Sequence, residues 1–105
     1  MTWHFYLAQL VSGLVLANGV PHFVRGISGE RFQSPFASPR GVGESSPFVN
    51  VVWGFANLAA GFALLGAFAP VGPEALAGWI AVGAGVLLAG VAMSLHFGRV
   101  RGNAG

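Results

Sequence analysis

Three long apolar stretches dominate the pattern of hydrophobic and polar positions along this chain. The second and third contain no charged residue, and the polar residues of the first are neutral side chains and two histidines, His4 and His22. Because a helix needs about 20 mostly apolar residues to cross a bilayer, the pattern predicts an all-α integral membrane bundle of three helices. We expect Pro21 to bend the first helix near its end. The predicted helices lie at about 3–22, 47–69 and 74–97, and they leave a long loop at 23–46.

The ends of the apolar stretches carry residues that commonly begin helices. Ser46 and Pro47 suit the N-cap and the first position of the second helix. Gly72, Pro73 and Glu74 play the same part before the third helix, where a negative charge suits the positive end of the helix dipole. The link between the second and third helices is so short that we expect these two helices to form an antiparallel hairpin.

The basic residues predict an orientation. All five are arginines, and three spans place them on the same side of the membrane: Arg25, Arg31, Arg40, Arg99 and Arg101. Segments rich in Lys and Arg stay on the cytoplasmic side. We therefore predict an N-terminus outside the cell, a cytoplasmic C-terminus and a cytoplasmic loop at 23–46.

Composition supports the membrane interpretation and excludes several kinds of chemistry. The chain is 54% hydrophobic and 8% charged, whereas an ordinary soluble domain is about 25% charged. It has no cysteine, and it contains no zinc-helix motif and no phosphate-binding glycine loop. The scattered arginines do not indicate nucleic-acid binding. We therefore predict a single transmembrane domain, 1–105, that is not an enzyme and holds no cofactor and no metal.

Neutral polar residues on the first two helices indicate contacts between helices. In lipid, small residues and interhelical hydrogen bonds bring helices together. From depths estimated at about 1.5 Å of rise per residue, we expect Asn18 to face Asn50 and Gln9 to face Asn57. Such amides either hold helices together or line a polar path, and their small number and neutrality favour the first role. One face of the second helix combines amides and glycines at 4-3-4 spacing: Asn50, Gly54, Asn57 and Gly61.

The third helix carries small residues at every fourth position. Residues at this spacing share a helix face, and small side chains allow another helix to approach closely. We therefore predict a helix-packing stripe formed by Ala77, Ala81, Gly85 and Ala89.

Two histidines, His22 and His96, fall near the cytoplasmic ends of the first and third helices. Histidines from two helices could ligate a haem or a metal. Histidine also suits the membrane interface as an amphipathic ring, and no cysteine or carboxylate accompanies this pair. We keep a ligand role for His22 and His96 as a possibility, and we expect interfacial or hydrogen-bonding roles.

The loop at 23–46 is too long and too aromatic for a simple connection. Structureless loops beyond about 12–15 residues are uncommon in compact domains, and disordered segments are poor in aromatic residues. Its repeated Ser-Pro steps favour extended backbone. We expect an ordered loop at the membrane surface. The residues predicted to contact lipid headgroups or a partner are Arg25, Arg31, Phe32, Phe36 and Arg40.

The segment from Asn18 to Gly54 contains Pro-His-Phe, Phe-x-x-Pro-Phe, Ser-Ser-Pro and Trp-Gly in that order. In this segment the chain resembles a family of small multi-pass proteins of the bacterial inner membrane. The resemblance implies a three-helix protein located in that membrane, and it implies no activity. Gln33 and Arg40 stand where that family more often has proline, which would make this loop less rigid.

The function expected from these features is that of a non-catalytic accessory or assembly subunit of a larger membrane complex. Its partners would be membrane lipids and other transmembrane helices, with the loop at 23–46 as the contact surface. One alternative is a homo-oligomeric channel or facilitator for a small solute, lined by Gln9, Asn50 and Asn57. Another is a redox or pigment-binding subunit with His22 and His96 as ligands.

Overall fold

A computed structural model describes residues 2–102, which form three long α-helices and one small hairpin. All three helices are long and apolar enough to cross a membrane, as the hydropathy pattern predicts. A 3-10 turn, Gly72–Glu74, precedes the last helix. The helices are α1 (Trp3–Ile27), α2 (Pro47–Ala67) and α3 (Ala75–Val100), and the hairpin strands are β1 (Phe32–Gln33) and β2 (Glu44–Ser45).

The first helix is longer than predicted, because it continues through Pro21 to Ile27. Proline removes a backbone donor and commonly kinks or ends a helix. Here the turn beyond Pro21 packs closely on α2, where the backbone of Phe23 lies against Gly54. This tertiary contact stabilises the additional helical residues, so the loop begins at Ser28 rather than at residue 23.

The second helix begins as its sequence predicts. Ser46 is the N-cap, and its hydroxyl accepts a hydrogen bond of 3.2 Å from the backbone N–H of Val49. Pro47 occupies the first turn, where a missing N–H costs nothing. The third helix differs slightly, because the Gly-Pro-Glu sequence forms a separate 3-10 turn and α3 itself begins at Ala75.

The first helix lies between the other two and contacts both of them. α2 runs antiparallel to α1, whereas α3 runs parallel to it. α2 and α3 therefore run antiparallel, as their short connection predicts, but they contact each other little and pack on α1 instead. Both α2 and α3 turn their glycine-bearing faces toward α1. They therefore pack on α1 rather than on each other, although they are neighbours in sequence.

Glycines allow α1 and α3 to approach each other at backbone distance. A methyl group added at Gly13 would overlap the carbonyl of Val82, and one added at Gly85 would overlap the carbonyl of Leu10. A methyl group at Gly78 would come within 3.0 Å of the Gln9 amide. Close approach of this kind is how helices gain contact in lipid.

The stripe predicted on α3 differs from the face that α3 presents to α1. The buried residues of α3 are Gly78, Val82 and Gly85. Of the predicted stripe, only Gly85 is buried, whereas Ala81 and Ala89 are half-buried and Ala77 is exposed. The helix is rotated because glycine permits a closer backbone contact than alanine.

The face predicted on α2 is the face that α2 presents to α1. Its buried residues are Asn50, Gly54, Asn57 and Gly61. A methyl group at Gly54 would lie within 2.5 Å of the Phe23 backbone nitrogen, and one at Gly61 within 2.6 Å of the Leu16 side chain. Along the contact between α1 and α2, buried asparagines therefore alternate with glycines at which α1 comes close to the α2 backbone.

Candidate functional site

The loop folds into a compact cap on the end of the helix bundle. β1 and β2 pair antiparallel, with Phe32 opposite Ser45. The hydroxyl groups of Ser34 and Ser45 share a short hydrogen bond, and Ser34 also accepts one from the backbone N–H of Phe36 at 3.1 Å. The backbone N–H of Gly41 donates to the Ser34 carbonyl at 3.0 Å, which closes the tip of the loop. The loop is thus ordered and rests on protein.

Asn50 connects this cap to the helices. It is fully buried, and its Oδ1 lies 2.9 Å from Nδ1 of His22 on α1. Its Nδ2 donates toward the carbonyls of Phe32 at 3.2 Å, Ser45 at 3.1 Å and Ser46 at 3.1 Å. One amide side chain therefore joins α1, both strands and the start of α2.

Aromatic rings enclose the His22 imidazole beside this amide. The rings of Phe32, Trp53 and Phe97 lie at 5.4, 6.5 and 6.4 Å from it, all edge to face. His22 and Phe32 are 3% and 4% exposed. The imidazole is thus held between a single polar partner and apolar ring edges, an arrangement that orients it firmly.

The amide pairs differ from the predicted ones. Asn18 donates to Asn57 at 3.0 Å, not to Asn50, and Gln9 donates to the backbone carbonyl of Phe68 at 2.9 Å, not to Asn57. The depth estimate took His22 as the end of the first helix. Because α1 continues to residue 27, its residues lie about 7.5 Å further from that end, so Asn18 faces a later turn of α2 and His22 meets Asn50.

The third helix reaches the cap through His96. Its Nε2 lies 2.7 Å from the carbonyl oxygen of Gly41 at the tip of the loop. Below this contact a pocket of about 240 Å³ opens between α1, α2, α3 and the loop. His22 and His96 both line this pocket, so the structure brings together the two histidines that the sequence singled out.

The pocket also holds a donor that lacks a partner. Nε1 of Trp53 is buried and has no hydrogen-bond partner within the described residues. Asn18, Gln33 and Ser34 add neutral polar groups to the wall. The pocket therefore offers hydrogen bonds to a small polar group and offers no carboxylate.

Metal binding receives little support from this arrangement. Nδ1 of His22 faces Asn50 and Nε2 of His96 faces Gly41, which leaves one nitrogen on each ring. Across residues 2–102, no group of three or more His, Cys, Asp and Glu residues could hold a metal ion. Protein zinc sites use at least three protein ligands, so a histidine pair alone is a poor metal site.

The loop residues predicted to contact lipid or a partner separate into two groups. Phe32 is buried beneath the cap and cannot make such a contact, which corrects the prediction. Its ring is instead the apolar centre on which His22 and the loop pack. Phe36 is 64% exposed and rests edge-on against Trp53 at 5.0 Å, and Arg40 is exposed.

The two remaining arginines of that prediction make local contacts. Arg25 forms an ion pair of 3.1 Å with Glu30, and both side chains are about half exposed. Arg31 donates to the backbone carbonyl of Glu44 at 3.1 Å. Exposed ion pairs contribute about 0–1 kcal/mol to stability, so the Arg25–Glu30 pair adds little to the fold.

Sequence reasoning did not identify several residues of this site. Ser34, Ser45, Trp53 and Phe97 hold the cap or line the pocket, yet each looks like an ordinary loop or helix residue in the sequence. The repeated Ser-Pro steps were the available signal, since they mark where Ser34 begins the turn.

Comparisons with protein-family models, curated proteins and solved structures find no match to this chain. The chemistry of the site is that of neutral hydrogen bonds and aromatic contacts around His22 and Asn50. Such a site is suited to holding a cap in place and to binding a small polar group, and it lacks a nucleophile paired with a base.

Proposed function

We propose that this protein is a multi-pass protein of the bacterial inner membrane that acts as a non-catalytic accessory or assembly subunit. Its N-terminus lies outside the cell, and the cap and C-terminus lie in the cytoplasm. The observation that carries this proposal is that the polar side chains inside the bundle make their hydrogen bonds within the chain. The buried Gln9, His22, Asn50 and Asn57 and the half-buried Asn18 all bond to other parts of this same chain, while Oε1 of Gln9 has no partner within the described residues.

Because these polar side chains hydrogen-bond within the chain, they weigh against the alternative of a homo-oligomeric channel. Gln9 and Asn50 are fully buried and Asn57 is nearly so, within the contact between helices. A path through a homo-oligomer needs polar groups on the outer surface of each copy, or a gap inside one copy. Two of the three residues proposed to line that path, Gln9 and Asn50, are instead fully buried within the bundle. The third, Asn57, borders a cavity of about 350 Å³ together with Asn18.

The contact surface of the subunit is an apolar patch where the cap meets α2. Phe36, Phe48 and Val52 are 64%, 76% and 52% exposed there, and with Trp53 they border a groove of about 400 Å³. An aromatic patch at the edge of an ordered loop suits a helix of another membrane protein, because aromatic residues are enriched at protein interfaces. We name these three exposed residues the Phe36 patch.

Extraction into a mild detergent tests this function. The expected particle contains unrelated membrane proteins, and Phe36→Ala lowers the amount of copurified partner at least about tenfold, since burying a phenylalanine ring is worth roughly 1.5–3 kcal/mol. Phe62→Ala is the matched control, because Phe62 is 63% exposed on α2 outside the patch. A particle made only of this chain, or equal losses in the two variants, would overturn the proposal.

The orientation is tested with single-cysteine variants, which report cleanly because the chain has no cysteine. Ser38 in the cap and Val71 in the turn after α2 are both exposed. In intact cells, an impermeant thiol reagent should label Val71→Cys and leave Ser38→Cys unlabelled until the cells are opened. The reverse pattern would refute the proposed orientation.

A second candidate function rests on the pocket shared by His22 and His96. A chromophore or redox group held there would give the purified protein a visible absorption band. The band would be lost in His22→Ala and His96→Ala and kept in His4→Ala, whose histidine lies at the other end of α1. Colourless protein from native membranes would remove this candidate.

A further inference from the structure

Another cavity lies between α1 and α3, away from the residues of the Phe36 patch. It is a groove of about 550 Å³ between the cap-proximal halves of α1 and α3. Its walls are apolar, and they include Val20, Val24, Val86 and Met93. The groove exists because the close glycine contacts of α1 and α3 occur only in the other half of the two helices. At Gly90 an added methyl group would meet nothing within 4 Å.

Two arginines stand at the cap end of this groove. Both Arg25 and Arg101 line it, and their guanidinium carbons lie 5.9 and 4.9 Å from the centre of the Phe32 ring. Stacking on a buried ring holds both groups in place. Two cations thus converge at the mouth of an apolar groove.

These arginines are incompletely neutralised. Arg25 uses Nη1 for its ion pair with Glu30, and Arg101 uses Nε for a neutral hydrogen bond of 3.2 Å to Gln33. A guanidinium has five N–H donors. Both therefore retain donors and positive charge that suit an oxyanion such as a phosphate.

The groove also has the length of a lipid chain. Along α3 its lining runs from Val86 to Gly98, which is about 18 Å at 1.5 Å per residue, and along α1 it runs from Ala17 to Val24, which is about 10 Å. One leaflet of the hydrocarbon core is about 15 Å thick. The α3 wall therefore covers the depth of a leaflet and the α1 wall covers about two thirds of it, and both walls end in an arginine at the level of the headgroups.

We propose that this groove binds an anionic phospholipid, with an acyl chain along α1 and α3 and the phosphate between Arg25 and Arg101. The proposal rests on the membrane location proposed above. It assigns the lipid to one site, and it gives Arg101 a role that its position near the end of the chain did not indicate.

Native mass spectrometry tests the site. The full-length protein is placed in nanodiscs of equal phosphatidylcholine and phosphatidylglycerol, released into detergent, and its retained lipids are counted. The wild type should retain one phosphatidylglycerol in preference to phosphatidylcholine. Arg25→Gln and Arg101→Gln should each lower that retention about fivefold, the equivalent of about 1 kcal/mol per arginine near an anionic surface.

Two matched controls separate this site from general charge and size effects. Arg99→Gln removes an arginine of α3 that does not line the groove, and it should leave retention unchanged. Gly90→Leu should block the acyl chain and abolish retention, whereas Gly83→Leu, also placed in open space, should not. Equal unfolding midpoints for the two leucine variants verify that both fold.

The results that overturn the lipid site are distinct from failure of the proposed membrane location. Equal retention of both lipids, equal effects of Arg99→Gln and Arg101→Gln, or unchanged retention of phosphatidylglycerol by Gly90→Leu would each refute the site. Extraction of the protein from membranes by alkaline carbonate would instead refute the membrane location, and the lipid site with it.

Discussion

Replacing Asn50 by leucine removes the one side chain that joins α1, the cap and the start of α2. Leucine has the same number of side-chain heavy atoms in the same branched arrangement, so the substitution removes hydrogen bonds without leaving an empty space. It deprives His22 of its partner on the ring and leaves the carbonyls of Phe32, Ser45 and Ser46 without their shared donor. We expect both the bundle and the cap to lose stability.

The magnitude follows from the contacts. The amide has two N–H groups and can fully satisfy two of the three carbonyls at a time, so three effective hydrogen bonds are lost. Hydrogen bonds inside membrane proteins average about 0.6 and reach about 1.7 kcal/mol each. Asn50 is fully buried, and of the carbonyls left behind that of Ser46 keeps the Asn50 backbone N–H as a donor. The expected loss in unfolding free energy is about 2–4 kcal/mol.

The assay is reversible unfolding in mixed micelles, followed by tryptophan fluorescence, since Trp53 lies 6.5 Å from the His22 ring. Asn18→Leu is the control, because Asn18 makes a single amide bond to Asn57 and should lose below about 1 kcal/mol. A loss for Asn50→Leu no greater than that of Asn18→Leu would refute the idea that Asn50 connects the cap to the helices.

Two further predictions concern the helix contact and the tip of the cap. Gly13→Leu should destabilise the bundle by more than about 2 kcal/mol, because its side chain would enter the α3 backbone, whereas Gly83→Leu should be nearly neutral in the same unfolding assay. His96→Ala should release the Gly41 carbonyl and increase the rate of tryptic cleavage after Arg40 several-fold. The rate of tryptic cleavage after Arg40 is compared between the wild type and His96→Ala. Equal rates would show that His96 does not hold the tip of the loop.

The contact faces of α2 and α3 show what residue spacing within one helix can and cannot predict. The 4-3-4 spacing on α2 predicted its contact face because both glycine and amide residues there were distinctive. On α3 the pattern of small residues was ambiguous, since alanines and glycines occur on several faces. Only the close approach of α1 at Gly78 and Gly85 selects one of those faces.

The end of α1 and the hydrogen-bond partner of Asn50 could not be predicted from neighbouring residues in the sequence. Proline at residue 21 favours a helix end when considered alone. The contact of Phe23 with Gly54 and the bond from His22 to Asn50 reverse that preference. An error in one helix end then shifted every predicted pairing along α1.

The sequence by itself determined the three apolar helices, the capped start of α2, the amide and glycine face of α2, and the need for order in an aromatic loop. These features depend on composition and on spacing within one element. The tertiary structure alone decided that α1 is central, that Phe32 is buried rather than exposed, and that His22 and His96 share a pocket. Those outcomes depend on contacts between residues far apart in the chain, and hydrogen bonds and close backbone contacts across such distances leave no periodic signal.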